Sequence, residues 1–311
     1  MTMNPRCLAI LAWFLVSYLT PVGAADADAL RIAYPSGING QLAKVIEKAA
    51  YAEKHGFAPT FTFFQYGPPM IEALAAGQVD VLFTSLTPVS NFLTKVPDGL
   101  TIVADVGKAA HAIVVPGDSP AKTLADLKGK KIAVSLNTEL HVDVIRSIKE
   151  LGLDPVKDFE LVNIQPQELA STFEQRLTDA VDIRVPPLIA LTTKKNARIV
   201  KQWPWQVLVV ARTAWLKEHS GAAARLREAL KDGIVHIATK PDEAAAWWGE
   251  HLRLDPVVVK ASADLNPLYK TIKRDDLDLV PNAAFKEFAD GWVKSLVEYG
   301  IIKKSVSFLY E

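Results

Sequence analysis

Isolated polar side chains and glycines follow the ends of several apolar runs, where they could bind a small ligand. Hydroxyl, amide and single ionisable groups at such places supply hydrogen bonds rather than covalent chemistry. In open α/β sheets the carboxyl ends of strands meet at one edge, next to helix N-termini that present unpaired N–H groups. We therefore predict a ligand-binding set at that edge: Ser36, Gly37, Asn39, Tyr66, Gly67, Pro68, Thr84, Ser85, Asn137, Thr138, His141 and Arg184.

Most members of this set also have a purely structural interpretation. Ser36 and Thr138, like the nearby Thr87, precede predicted helices and would serve equally well as helix N-caps. His141 lies on an amphipathic helix, where a structural or surface histidine is the favoured interpretation. Arg184 lies between the strand-like DAVDI and the segment VPPL. It therefore either contacts a ligand with its charge or forms a structural ion pair.

Motifs for enzymatic or metal chemistry are missing from the sequence. It contains no GxSxG, HExxH or GxxxxGK[ST] pattern, and GINGQ lacks the GxGxxG spacing of a dinucleotide site. The six histidines do not have the spacing of metal ligands, and Cys7 is the only cysteine. These observations predict a protein with no catalytic residue, no metal site and no cofactor.

The composition is that of a globular protein with a large core and no strong charge. The chain has 311 residues, of which 50% are hydrophobic, which suits one large or two medium domains. Its 35 basic and 35 acidic side chains balance. Because a balanced charge creates no long-range field, nucleic acid and anionic membranes are disfavoured as partners.

The N-terminal segment predicts export. A single positive charge at Arg6 precedes an apolar run at 7–19, and small residues follow at 23–25. This is the layout of a secretory signal peptide, here 1–24, with cleavage after Ala24. The apolar run is shorter than the ~20 residues that a spanning helix needs. Cleavage would remove the only cysteine, which suits an oxidising compartment.

The order of apolar runs and helical patterns predicts an α/β fold. The runs LRIAY, TFTFF, VDVLF and LTIVADV alternate with helical stretches in the first half, and a second series contains HAIVV, KIAVSL, DFELVNI, DAVDI, ARIV and WQVLVVAR. Such alternation indicates βα units and a largely parallel sheet. From Thr213 onward the pattern is almost wholly helical. Two independent domains, or two lobes between which the chain crosses and returns, would both fit this order.

Four segments together resemble a known family. They are FFQYGPPMIEALAAGQVDVLFTSLTP, AIVVPGDSPAKTLADLKGKKIAVS, TELHVDVIRSIKELGL and PDEAAAWWGEHLRLDPVVV. The chain is similar to the periplasmic solute-binding proteins for aliphatic sulfonates, taurine and nitrate, over most of 30–260. The resemblance implies two α/β lobes with mixed, mostly parallel sheets, joined by two crossover strands, with the helical tail mainly on lobe 1. Lobe 1 would comprise 25–107 and 208–311, and lobe 2 would comprise 108–207.

The resemblance also implies a function. A monomeric periplasmic protein would hold a small organic anion in the cleft between its lobes and deliver it to an ABC permease. The chain departs from the family at Tyr66, at Ser85 and Leu86, and at Arg184 and Val185, all expected to face the cleft. Ligand preference is therefore expected to differ at these positions.

Three alternatives stay open at the level of sequence. One is a pyrimidine, a thiamine precursor or another aromatic ligand, on which Tyr66, Trp203 or Trp205 would stack. The second is an enzyme built on the same fold, against which the export signal and the missing catalytic groups argue. The third is a sensory role without transport, for which the sequence offers no fused signalling domain as support.

Overall fold

The computed structural model describes residues 27–311, so the predicted signal peptide and its cleavage site lie outside the described residues. The strands of the described part are β1 (Asp28–Pro35), β2 (Phe57–Phe64), β3 (Val81–Thr84), β4 (Leu100–Pro116), β5 (Lys131–Val134), β6 (Glu160–Asn163), β7 (Ala180–Arg184), β8 (Ala197–Arg212) and β9 (Leu309–Tyr310).

Helices follow most of these strands, as the alternating pattern predicts. The α-helices are α1 (Asn39–Lys48), α2 (Tyr51–Lys54), α3 (Gly67–Ala75), α4 (Leu86–Leu93), α5 (Glu139–Glu150), α6 (Leu169–Glu174), α7 (Pro187–Lys194), α8 (Thr213–Glu218), α9 (Ala222–Thr239), α10 (Pro241–Leu252), α11 (Pro256–Ala263) and α12 (Ala283–Glu298). Within residues 27–311, the helices are all too short or too polar to cross a membrane.

Two long strands, β4 and β8, join the two halves of the molecule. They pair antiparallel along nearly their whole lengths, and the sheet order is β2-β1-β3-β8-β4-β7-β5-β6, with β9 beside β4. Strands β1 to β3 lie on one side of this pair and β5 to β7 on the other. The fold is therefore two α/β lobes joined by two crossover strands, as the resemblance implies.

The structure corrects one detail of the predicted strands. The runs LTIVADV and HAIVV are parts of the single strand β4, and ARIV and WQVLVVAR are parts of β8. The pairing of β4 with β8 shifts register between Asp105 and Lys108, around Gly107 at φ +93°. A bulge of this kind bends a strand without ending it. Gly107 and the charged residues beside it interrupt the apolar pattern, so the sequence divides the strand into two runs.

Buried charge fixes the unit formed by α3 and β3. Prolines 68 and 69 occupy the first turn of α3, where a missing N–H costs nothing. Asp80, 2% exposed, accepts hydrogen bonds from the guanidinium groups of Arg31 and Arg212 at 2.7–3.1 Å. Burial alone would raise the pKa of the Asp80 carboxyl, but these hydrogen bonds more than offset it, so its pKa lies below the usual value.

A second charged cluster is buried in lobe 2. The imidazole of His111 hydrogen-bonds to Asp182 at 2.9 Å and to Asp143 at 3.0 Å, and Asp143 also pairs with Arg146. Trp203 stacks on the His111 ring with centroids 5.0 Å apart. Burial would lower the pKa of His111, but the charge of Asp182 and hydrogen bonds to both carboxylates raise it to about 9. The imidazolium therefore holds the two carboxylates together.

The helical tail packs mainly on lobe 1. Helices α9 and α10 pack against α1, and Trp248 of α10 is fully buried there. Helix α12 packs against α4 of lobe 1 and also reaches α5 of lobe 2. The Trp292 ring of α12 lies under the guanidinium of Arg146, and its indole N–H donates to Thr87 Oγ1 at 3.0 Å. The C-terminal helix thus contacts both sides of the space between the lobes.

Candidate functional site

A cavity of about 200 Å³ lies between the lobes, where β1, β2, β3 and β7 end. It is smaller than the ~300–1,000 Å³ typical of sites for drug-sized ligands, so it suits a small molecule. The predicted residues that line it are Ser36, Asn39, Tyr66, Gly67, Pro68, Thr84, Ser85, Thr138 and Arg184. The structure therefore brings most of the predicted set to one place.

Three predicted residues do not line the cavity. Gly37 lies just behind it, and a β-carbon there would come within 3.5 Å of the Arg184 Nε. Asn137 is exposed and forms a left-handed turn at φ +60° before α5. His141 lies further along α5, and burial lowers its pKa to about 4, so its ring is neutral at pH 7. Its position fits the structural interpretation.

Arg184 at the end of β7 reaches across the cleft to lobe 1. Its Nη2 atom donates to the hydroxyl of Ser36 and to the backbone carbonyl of Gln65, both at 3.0 Å. Within residues 27–311 it forms no ion pair, because both partners are neutral oxygens. Removal from water lowers the pKa of Arg184 to about 10, although the charge of Glu139 acts in the opposite direction. The group is thus a cation at pH 7 whose charge is uncompensated at close range.

The hydroxyls of Ser36, Thr87 and Thr138 do not bind the helix N–H groups that an N-cap would bind. The Ser36 hydroxyl donates to the carbonyl of Gln65 at 2.6 Å. That of Thr138 donates to the carbonyl of Ser135 at 2.7 Å, and Thr87 Oγ1 accepts from Trp292. Ser36 in particular orders the rim of the cavity and accepts the Arg184 hydrogen bond at the same time.

Glu139 is a cavity residue that sequence reasoning missed. It is 6% exposed, and its Oε1 accepts a hydrogen bond from the Thr87 backbone N–H at 2.7 Å. The carboxylate of lobe 2 therefore caps α4 of lobe 1. Burial raises the pKa of Glu139, partly offset by hydrogen bonds from Ser85 and Thr87. In the sequence it resembles an ordinary acidic residue in the first turn of a helix, which complements the dipole of its own helix.

Several buried polar atoms of the cavity wall have no hydrogen-bond partner among the described residues. They are Oδ1 of Asn39, Oγ1 of Thr84 and Nε1 of Trp205, on side chains that are 2–7% exposed. An unsatisfied buried polar group costs about 1–3 kcal/mol. Such groups therefore mark places where a ligand that supplies the missing partner would gain affinity.

Apolar side chains cover the rest of the wall, and helix N-termini face the same space. Gly67 begins α3, Ser85 precedes α4, Thr138 precedes α5 and Pro187 begins α7. The apolar wall comprises Met70, Pro88, Leu140, Leu169, Ala170, Ile183, Trp205, Leu252 and Leu254. Helix N-termini contribute positive electrostatic potential, although the Glu139 carboxylate already caps that of α4. The arrangement can bind a small anion with an apolar body. Within residues 27–311, no group of histidine, cysteine and acidic side chains is placed to hold a metal.

Sequence comparisons identify the proteins that this chain resembles. A family model described as NMT1/THI5 like matches residues 65–244. The chain is 28% identical over 267 residues to a Bacillus subtilis (strain 168) protein named as an aliphatic sulfonates-binding protein, covering 82% of this chain and 80% of that one. It is also 24% identical to the taurine-binding periplasmic protein of Escherichia coli (strain K12), over 70% of each chain.

Structural comparison shows the fold. The alkanesulfonate-binding protein SsuA from Xanthomonas axonopodis pv. citri, bound to MOPS, superposes with a TM-score of 0.77 at 21% identity, covering 91% of this chain and 97% of that one. The periplasmic aliphatic sulphonate binding protein SsuA from Escherichia coli superposes with a TM-score of 0.74 at 21% identity, over 90% of each chain. The two lobes and the crossover strands are those of the periplasmic binding protein fold.

Proposed function

The chain belongs to the NMT1/THI5-like family, and from this premise we propose that it is the solute-binding protein of an ABC importer. Its ligand is a small organic anion, sulfonate-like or carboxylate-like, held in the cavity between the lobes. The protein acts by binding and release, with no chemical change to the ligand. The named relatives are likewise binding proteins.

The uncompensated positive charge of Arg184 is the observation that supports this proposal most. A cation that is partly buried and hydrogen-bonded only to neutral oxygens retains most of its attraction for an anion. The unpartnered Oγ1 of Thr84 and Nε1 of Trp205 lie in the same cavity and can donate further hydrogen bonds to an acidic group. Charge and hydrogen-bonding capacity thus converge where a sulfonate or carboxylate group fits, while the apolar wall accepts its carbon skeleton.

Closure of the lobes would couple binding to delivery. Arg184 belongs to lobe 2, whereas Ser36 and the Gln65 carbonyl belong to lobe 1, so an anion at Arg184 contacts both lobes. A ligand that contacts both lobes binds the closed form better than an open one and shifts the hinge equilibrium toward it. The permease would recognise that closed form.

The proposal includes location and organisation. The protein is exported by its cleaved signal peptide 1–24 and works in the periplasm as a monomer, and its partners are a small molecule and the permease subunits. Lobe 1 comprises 25–107 and 208–311, and lobe 2 comprises 108–207. The named periplasmic relatives and the continuous strands β4 and β8 support this assignment.

Isothermal titration calorimetry tests the function directly. The purified protein, unfolded and refolded to remove bound solutes, is titrated with short alkanesulfonates, taurine and short carboxylates, and with neutral alcohols of matched size as controls. We expect binding of at least one anion and none of its neutral analogue. Tight binding of neutral compounds, with no anion bound, would overturn the proposal.

An aromatic ligand is the second candidate, because Tyr66 and Trp205 both line the cavity. The two rings could stack on a pyrimidine, and Trp205 Nε1 would donate to a ring acceptor. Trp203 does not take part, since it stacks on His111 inside lobe 2. Titration with pyrimidines and with thiamine precursors at the same concentrations separates the two ligand classes.

A further inference from the structure

A second cavity lies beyond the first along the space between the lobes. Its volume is about 130 Å³, and it opens to solvent beside Phe288, which is 44% exposed. Its wall comprises Leu86, Glu139, Asp143, Arg146, Pro204, Trp205, Gln206, Phe288 and Trp292. It therefore lies between α4 and α12 of lobe 1, α5 of lobe 2 and the crossover strand β8.

The rear cavity, as we name this space, is separated from the ligand cavity by two side chains. Of the described residues, only Glu139 and Trp205 line both cavities. Glu139 is held in place by the hydrogen bond from the Thr87 N–H at 2.7 Å, which ties α5 to α4. Trp205 is 7% exposed, and its Nε1 has no partner among the described residues. The hydrogen bonds from lobe 1 to Glu139 therefore close the passage beside an indole ring.

The walls of the rear cavity suit a hydrocarbon chain. Leu86, Pro204, Phe288 and Trp292 supply apolar surface, and the charges of Asp143 and Arg146 are already paired. The carboxylate of Asp143 bonds to both Arg146 and His111, and Arg146 also lies against Trp292. An alkyl chain placed there would gain apolar contacts without separating a charge from its partner.

On the basis of the proposed function, we propose that Glu139 is the specificity-determining residue that limits ligand length. An anionic group at Arg184 leaves the carbon skeleton pointing along the cleft, and Glu139 stops it before the rear cavity. The wild-type protein therefore takes short-chain anions. A chain long enough to pass Trp205 would have to break the contact between Glu139 and Thr87, so it binds more weakly.

A chain-length series of linear alkanesulfonates, from ethane- to octanesulfonate, tests this by calorimetry. In the wild type we expect affinity to fall once the chain outgrows the first cavity. Glu139→Ala opens the passage, and each methylene that then enters the rear cavity should raise affinity about fourfold. Octanesulfonate should therefore gain at least about tenfold more than ethanesulfonate on this substitution.

Glu139→Gln is the matched control, because it removes the charge and keeps the size of the side chain. Loss of a nearby negative charge should raise the affinity of all chain lengths by a similar factor and leave the length profile unchanged. Glu139→Ser opens the passage by a second route and should reproduce the profile of Glu139→Ala. It also provides the measurement if the alanine variant does not fold.

Phe288→Trp locates the gained binding in the rear cavity. Alone it should leave ethanesulfonate binding unchanged, and combined with Glu139→Ala it should abolish the gain for octanesulfonate. If the wild type binds ethanesulfonate but Glu139→Ala has the same length profile, the assignment of Glu139 is overturned while the proposed function stands. If the wild type binds no member of the series and no short carboxylate, the proposed function fails, and the inference fails with it.

Discussion

Arg184 of lobe 2 donates a hydrogen bond to the hydroxyl of Ser36 in lobe 1, with the two atoms 3.0 Å apart. This contact crosses the cleft at the carboxyl ends of β1 and β7. The same guanidinium also reaches the Gln65 carbonyl, so the cation is positioned by neutral lobe 1 oxygens. An anion bound to Arg184 would therefore contact both lobes, which is the requirement for ligand-driven closure.

Removal of the Arg184 charge should weaken anion binding strongly. Hydrogen bonds to charged groups are worth about 1.5–3 kcal/mol, so Arg184→Gln should lower affinity by roughly 10- to 150-fold. The free energy of unfolding of the ligand-free protein should stay the same or rise, since the substitution removes a poorly solvated charge. Calorimetry and urea unfolding measure the two effects.

Arg176→Gln is the control for this prediction. Arg176 pairs with Asp118 on the surface of lobe 2, with both side chains more than 60% exposed, and it does not line the cavity. Its loss should leave ligand affinity unchanged. Equal affinities of Arg184→Gln and the wild type would show that the ligand binds elsewhere.

Of the two tryptophans on β8, only one should change its fluorescence when a ligand binds. Trp205 lines the cavity, whereas Trp203 is buried against His111 and donates to Ser147 Oγ at 3.0 Å. A bound ligand should therefore change the emission of Trp205. Fluorescence titration of Trp205→Phe should lose most of the ligand-induced signal, and Trp203→Phe should keep it. A signal that survives in Trp205→Phe would contradict this placement.

Local sequence patterns predicted much of the fold and many of the lobe 1 residues that line the cavity. Proline pairs, glycine stops and apolar runs specify βα units, and the ends of parallel strands converge by geometry. Asn39, Tyr66 and Thr84 were found in this way because each lies at the end of its own strand or just beyond it. The runs LTIVADV and HAIVV were predicted separately, since Gly107 and the charged residues beside it interrupt the apolar pattern of β4.

Contacts between distant segments were not predictable from local patterns. Glu139 caps α4, a helix 52 residues earlier in the chain, yet in sequence it is an ordinary first-turn acid. Trp292 binds Thr87 across 205 residues. Neither residue has a periodicity or spacing that identifies its partner. Polar contacts that depend on packing between the lobes and the tail could therefore be identified only from the structure.

The buried imidazolium of His111 should make the stability of the protein depend on pH. Its pKa is about 9 in the folded protein, above the ordinary value of 6.5. The resulting stabilisation is fully present below pH 6.5 and is lost as the pH rises through 9, and it amounts to roughly 3 kcal/mol. Urea unfolding of the wild type should show this decline between pH 7 and pH 10.

His111→Gln isolates that contribution, because glutamine cannot be protonated in this range. The variant should be less stable than the wild type at pH 6, and the difference between the two should shrink as the pH rises toward 10. Parallel curves for the two proteins over the whole range would show that the imidazole is neutral in the fold.

The carboxylate of Asp80 should matter at the acidic end of the pH range. Because its pKa is lowered in the folded protein, its contribution is present above the unfolded pKa and is lost as the pH falls through the lower folded value.

Asp80→Asn removes the charged acceptor of Arg31 and Arg212. Both arginines keep some exposure to water, so we expect a cost of about 2–3 kcal/mol at pH 7. Asp276→Asn, at an exposed position, should cost almost nothing. Acid unfolding followed by circular dichroism should show the stability difference between Asp80→Asn and the wild type closing below pH 4. A difference that stayed constant to pH 2 would show that Asp80 stabilises β3 by its packing rather than by its charge.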